Sequence, residues 1–400
     1  MIIQPADRTS SVREYYFSWK NKELARLNAD RKARGEDTII NLGIGAPDRM
    51  PPMPAIKELV DTAQQPGNHA YQNYYGLPEL RKAFADWYAR WYGVELDPIN
   101  GIQPLVGSKE GILLTSMAFV NPGDKVLVPD PGYPTYTSAS KLVDAQIINY
   151  DLREENHWMP DFDALEKMDL EGVKIMWVNY PHMPTGAKAT PELFQKLVDF
   201  GLRHKILIVN DNPYSFILTD RHLSILAAKG AMECCLELNS LSKAHNMSGW
   251  RIGMVGGSPE MVDQVRKVKS QMDSGMFKPL QLAAVQALGQ GEDWFRDLNA
   301  EYSRRQVAAG RIMDLLGAHY DKDSAGLFLW GRVKAKAPVP ANGMTAGETL
   351  SEKLLHQAGV FVTPGYIFGK NGNDYIRISL CAPVPTLEKA YRKIEDLLRS

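Results

Sequence analysis

The sequence predicts an α/β protein, with a mostly parallel central sheet in a large domain joined to a smaller α+β domain. Three observations predict it. Between about residues 100 and 260, short β-branched runs alternate with helical patterns, as in a parallel sheet. Most of those runs are apolar throughout, so helices must cover both faces. After about residue 295 a long polar helix pattern gives way to strands and helices in mixed order. The expected boundaries are 1–45 for an N-terminal arm and part of the small domain, 46–294 for the large domain and 295–400 for the small C-terminal domain.

In chain order, the stretch Arg31-Lys32-Ala33-Arg34 reads as the polar end of a helix. Within 77–92, Leu80, Phe84, Trp87, Tyr88 and Trp91 recur at steps of three and four, which reads as the core-facing side of a helix. Predicted strands follow at 101–106, 125–129, 146–150, 173–179, 206–210, 235–239 and 252–255. Beyond them come a helix over 301–316, a strand over 326–333, a loop containing proline and glycine, a helix over 349–358, a strand pair and a final helix. There is no internal repeat or low-complexity tract. The two lobes should pack closely and leave a cleft.

Composition narrows the function classes. With 46 basic and 47 acidic residues, no global field attracts nucleic acid or an anionic membrane. Cys234, Cys235 and Cys381 are too few for a disulfide framework, and the first two fall together in an apolar strand. No run of about 18 apolar residues occurs, and the start lacks a basic segment followed by an apolar one. A soluble cytoplasmic protein without a metal is expected.

The chemistry centres on Ser240-Leu241-Ser242-Lys243, followed by Arg251. One amine, a hydroxyl three residues before it and a guanidinium eight residues after it can hold an aldehyde covalently and a phosphate electrostatically. The aldehyde-bearing phosphate used this way is pyridoxal 5′-phosphate. Asp211 follows a predicted strand, at the carboxyl end where α/β sheets bind ligands, and can keep a ring nitrogen protonated. Tyr214 can donate to the ring's phenolate oxygen. The turn Val106-Gly107-Ser108-Lys109-Glu110-Gly111 opens a helix, so Ser108 and Lys109 can add phosphate donors. Tyr133, in the constrained turn Pro131-Gly132-Tyr133-Pro134, can lie against a pyridine ring. Arg377, in an alternating strand, can clamp a carboxylate with two parallel bonds. Taken singly, each of these is more often a cap, a turn or a solvated charge.

Together the segments resemble the class I/II aminotransferases of the fold-type I pyridoxal-phosphate enzymes over nearly the whole chain. The match includes Asn41-Leu42-Gly43-Ile44-Gly45-Ala46-Pro47-Asp48, Tyr71, Gly76-Leu77-Pro78 and Gly326-Leu327-Phe328, and closes with Pro364-Gly365-Tyr366 and Arg377. The resemblance implies Lys243 as the cofactor's covalent anchor, Asp211 on the ring nitrogen, Tyr214 on the phenolate oxygen and Tyr133 stacked on the ring. It also implies Ser108, Lys109, Ser240 and Arg251 around the phosphate, with Gly45 and Arg377 at the substrate. Tyr71 corresponds to a position that reaches the phosphate of a neighbouring subunit, which implies a homodimer. One departure stands out. Where the family usually has Asn-Pro-Thr-Gly, this chain reads Met183-Pro184-Thr185-Gly186, and a thioether donates no hydrogen bond.

The implied function is amino transfer between an L-amino acid and a 2-oxo acid, with Lys243 as anchor and then as general acid/base. A carbon–sulfur β-lyase on the same scaffold is the alternative, and the Met183 change keeps it open. A non-catalytic cofactor-binding regulator is disfavoured by the presence of both Lys243 and Asp211. A nicotinamide enzyme is disfavoured because Gly43-Ile44-Gly45 lacks a third glycine and a strand-to-helix context. Within the family, the 107–111 turn looks like the branch containing alanine, aspartate and LL-diaminopimelate aminotransferases.

Overall fold

A computed structural model describes residues 2–333 and 343–399. The strands are β1 (Ile40–Asn41), β2 (Ile102–Leu105), β3 (Lys125–Asp130), β4 (Gln146–Asp151), β5 (Val173–Val178), β6 (Leu207–Asp211), β7 (Cys235–Ser240), β8 (Gly253–Gly257), β9 (His319–Tyr320), β10 (Phe328–Arg332), β11 (Val360–Phe361), β12 (Thr363–Pro364) and β13 (Tyr375–Ser379). Seven of them form the large sheet in the order β2-β8-β7-β6-β5-β3-β4. The strands from β7 to β4 are parallel, while β8 runs antiparallel to both β7 and β2. The sheet is therefore mixed and mostly parallel. The reversal has a local cause: the 241–252 connection holds only the helical turn Ser248–Trp250, not the crossover helix that joins parallel strands.

Both faces of this sheet are buried, as unbroken apolar strands require. One packs Leu105, Val128, Trp177, Val209 and Leu238 into a closed cluster. The other packs Met176, Ile208 and Met254 against the helix Pro78–Tyr92. That helix starts with proline at its first turn, where the missing N–H costs nothing, and buries Leu80, Phe84, Trp87 and Tyr88. Trp91 is only half-buried.

The second sheet runs β12-β13-β10-β9, so the strand carrying Arg377 is interior. The N-terminal segment reaches the C-terminal half through β1, which pairs in parallel with β11. Three expectations shift. The helix Glu292–Leu315 begins earlier than residue 301, with Glu292 and Asp293 favourably placed in its first turn. Cys234 closes the short helix Ala231–Cys234, and only Cys235 belongs to β7. The helix expected over 349–358 begins at Ala346, its capping box formed by Thr345 and Glu348, and its last turn widens over Leu354–Ala358. Most of the expected proline- and glycine-containing loop lies outside the described residues. Among the described residues no helix is long and apolar enough to cross a membrane.

Candidate active site

Parallel strands bring their carboxyl ends to one rim, and chemistry collects there. Asn179 follows β5, Asp211 ends β6, and Ser240 ends β7 just before Lys243. A cavity of about 460 Å³ opens at this rim. It is lined by Lys243, Asp211, Tyr214, Tyr133, Ser108, Lys109, Ser240, Arg251, Gly45 and Arg377. Tyr71, the remaining residue singled out in the sequence, stands apart at 91% exposure.

One end of the cavity is a loop-built cradle for an anion. Arg251 has a left-handed backbone (φ 57°), and its Nη1 donates to Ser242 Oγ (3.3 Å) and to the Ser248 carbonyl (2.9 Å). Ser240 Oγ donates to Ser242 Oγ at 2.7 Å. The guanidinium occupies the space left by Gly107 (φ +76°), where a Cβ would lie 2.1 Å from Arg251 Nη2. Gly107 directly precedes the helix Ser108–Phe119, whose first amides are free to hold an anion. Lys109 is engaged elsewhere: its ammonium lies 4.2 Å from the centroid of the Tyr15 ring.

At the centre, Asp211 Oδ2 accepts from the Tyr136 hydroxyl at 3.0 Å, while Oδ1 is buried without a partner. Burial pushes the Asp211 carboxyl up to about 6, against the Tyr136 hydrogen bond, the nearby Ser108 hydroxyl and the Lys243 charge, which lower it. The Asn179 side chain donates to the Asp211 carbonyl and accepts from the Met183 amide at 2.8 Å, tying the two strand ends together. Lys243 Nζ donates to the Gly45 carbonyl at 2.5 Å. Burial lowers the pKa of the Lys243 ammonium, which favours the unprotonated amine that can attack a carbonyl or accept a proton. Burial likewise holds the Tyr214 phenol well above its ordinary value, so it is a donor rather than an anion.

The other end is an arginine in an aromatic cage. Arg377 is 3% exposed, with its guanidinium carbon 3.8 Å from the Phe328 ring centroid and 4.8 Å from that of Phe368. Its Nη2 donates to the Gly43 carbonyl (3.0 Å), its Nη1 contacts Met183 Sδ (3.3 Å), and its Nε has no partner. Burial lowers its pKa to about 10. A buried cation without a carboxylate is a strong attractor for one. Gly45 belongs to this wall by necessity, since a Cβ there would meet Phe328 at 2.7 Å.

His182, beside Met183, turns away: its Nδ1 is 2.8 Å from Thr185 Oγ1 and burial pushes its pKa down to about 3. Sequence reasoning missed Tyr15, Phe17, Tyr136, Asn179, Ser242 and the lining role of Met183. Asn179 carried a usable signal, since it follows a predicted strand just as Asp211 does. Tyr15 and Phe17 carried none, because only folding brings residues so near the start of the chain to this rim.

Three comparisons bear on this site. Residues 37–394 match the family model "Aminotransferase class I and II". The chain is 40% identical to an LL-diaminopimelate aminotransferase of Dehalococcoides mccartyi over 391 residues, 97% of either chain. It is 38% identical to one of Aquifex aeolicus, covering 99% of this chain and 100% of that one. Among solved structures, substrate-bound BacF of Bacillus subtilis superposes with a TM-score of 0.90 at 32% identity, covering 99% of this chain and 98% of that one.

Proposed function

This chain belongs to the class I and II aminotransferases, and from that membership we propose that it transfers amino groups with pyridoxal 5′-phosphate bound in this cavity. Members of the family generally depend on that cofactor. When bound, it supplies a carbonyl carbon for an amine and an electron-withdrawing ring that takes up charge from the substrate's α-carbon.

The residues present suit the group. Asp211 Oδ1, buried and unpartnered, is the acceptor that a protonated ring nitrogen needs. Ser240, Ser242, Arg251 and the start of the helix Ser108–Phe119 offer donors for a phosphate. Tyr214 offers a donor for the phenolate oxygen, with no second one from Met183. Lys109 is a phosphate donor only if it leaves the Tyr15 ring.

Lys243 is the anchoring amine and, once released, the base that takes a proton from the substrate's α-carbon and hands it to the carbon the amine had held, with the reverse transfer in the second half of the cycle. Arg377 binds the substrate carboxylate through two parallel hydrogen bonds. Phe17 and Phe328 wall that end against water. The exposed Tyr71, with Ile44, Met50 and Met53 also exposed, suits a homodimer in which Tyr71 reaches the partner's site. The three free cysteines suit a reducing cytoplasm.

One observation carries the reading: Lys243 and Asp211 line a single cavity with an arginine at either end. The names of its relatives make LL-diaminopimelate the amino donor to assay first. A panel of amino donors, read by cofactor absorbance in half-reactions and reset with 2-oxoglutarate or pyruvate, tests it. Amino donors should change the absorbance and oxo acids restore it. Release of pyruvate and ammonia from a cysteine-like substrate, with no oxo acid present, would favour the β-lyase instead.

A further inference from the structure

Behind the cavity, on the opposite face of the large sheet from Asp211, lies a second buried carboxylate. Glu237 is 0% exposed and stands in register with Asn210 across β6 and β7. Successive residues of a strand face opposite sides, so Asn210 and Glu237 share one face and Asp211 takes the other. Glu237 Oε1 accepts from the Tyr88 hydroxyl (2.9 Å) and Ser224 Oγ (2.7 Å). Its Oε2 accepts from Asn210 Nδ2 (2.9 Å) and the Ile225 amide (3.1 Å). Burial raises its pKa, and these four donors, with no cation among them, pull it back. The Asn210 and Ile225 N–H groups can only donate, and the Tyr88 hydroxyl already accepts from Asn239, so this set of partners favours the anion.

The same grid reaches the ends of β5, β6 and β7 at the cavity. Asn210 Oδ1 accepts from the Tyr180 amide at 3.1 Å, next to Asn179. Asn239 Nδ2 donates to the Tyr88 (3.3 Å) and Tyr92 (3.2 Å) hydroxyls, and its Oδ1 accepts from the Ser240 amide at 2.7 Å. Tyr92 in turn meets Ser215, the neighbour of Tyr214, at 2.6 Å.

We propose that Glu237 is a positioning residue: a permanent negative charge behind Asp211 that favours a proton on the cavity side of the sheet, and the hub that fixes the strand ends bearing Asp211, Tyr214 and Ser240. Its effect on turnover rests on the proposed role of Asp211 at a ring nitrogen, whereas the coupling of the two carboxylates does not. Facing Asp211 are Lys243 and the Tyr136 and Ser108 hydroxyls. Around Glu237 stand Tyr88, Tyr92 and the Cys235 thiol, all groups that are neutral near pH 7.

Glu237→Gln isolates the charge. Its amide oxygen can keep the Asn210 and Ile225 donors, and its amide nitrogen can donate to the Tyr88 and Ser224 hydroxyls, which reverse. The Asp211 carboxyl is followed by carbon-13 aspartate labelling of the cofactor-free chain, its signal identified by its loss in Asp211→Asn. The holoenzyme is titrated by cofactor absorbance. In Glu237→Gln the Asp211 midpoint should fall by about half a pH unit or more, roughly a threefold loss of proton affinity. Tyr88→Phe, which keeps the charge, should leave it in place. An unmoved midpoint in a folded Glu237→Gln chain overturns the proposal. Should that variant not fold, glutamate labelling of the unaltered chain decides: a protonated Glu237 between pH 6 and 8 overturns it. A shift in the cofactor-free chain without one in the holoenzyme upholds the coupling and removes Asp211 from the ring nitrogen.

Discussion

Arg251 and Arg377 are the two guanidinium groups of one cavity, and they are held in opposite ways. Arg251 sits on a loop, in a left-handed backbone, and its hydrogen bonds go to the Ser242 hydroxyl and to the main chain at Val106 and Ser248. Arg377 sits in the middle of a sheet, wrapped in aromatic rings, touching a thioether and leaving one nitrogen unpaired. The first is a finished cradle that needs little rearrangement to receive an anion. The second is left incomplete, and the substrate carboxylate proposed for it would be the missing partner. Of the two arginines, the satisfied one thus lies where a tightly held group is proposed to rest, and the deprived one where a transient one is proposed to arrive.

Replacing Lys243, which lies between the two arginines, should give the largest effect. Lys243→Ala should lower the half-reaction rate by about 10³-fold or more while phosphate still binds the Arg251 end. Rapid-mixing absorbance, with inorganic phosphate binding as the control, checks both.

Asp211 belongs with the deprived groups. Its pKa rises from 3.8 to about 6 in the folded chain, so the folded chain binds protons more tightly. That contribution to stability is fully present below about pH 4 and is lost as pH rises through about 6. Cofactor-free Asp211→Asn, which cannot ionise, should thus be more stable than the parent at pH 8 by on the order of 3 kcal/mol, and no more stable at pH 4. Denaturant unfolding at the two pH values measures this.

Removing the partner-seeking cation should separate the two ends kinetically. Arg377→Met should raise KM for amino and oxo acids by roughly 10- to 100-fold, the worth of a charged hydrogen-bonded pair, with cofactor affinity unchanged. The smallest effect comes from the finished end. Gly107→Ala pushes a Cβ into Arg251, so cofactor affinity should fall about tenfold while KM for substrate holds. If both variants change the same constant, the contrast between the two arginines fails.

Much of this was legible in the chain because the signals were local. Unbroken apolar runs revealed the large sheet, and residues at or just past its strand ends supplied Asp211, Ser240 and Lys243. The reversal of β8 was not legible, since a connection of a dozen residues can carry a crossover helix or a loop, and side-chain pattern alone does not decide. Nor was the interior position of Arg377, because pairing between β10, β12 and β13 depends on contacts distant in sequence. Met183 was noticed as a departure, but its contact with Arg377 emerges only from the fold.

The segment after β1 is gripped along its main chain. Three consecutive carbonyls, those of Gly43, Ile44 and Gly45, each receive a bond from a different side chain: Arg377, Ser379 and Lys243. The peptide thus acts as a ruler whose graduations are single residues. Inserting or deleting one amino acid between Asn41 and Ala46 would offset the Lys243 amine from the Arg377 guanidinium by a full step, so engineered length changes belong upstream of β1, where the ruler is not read.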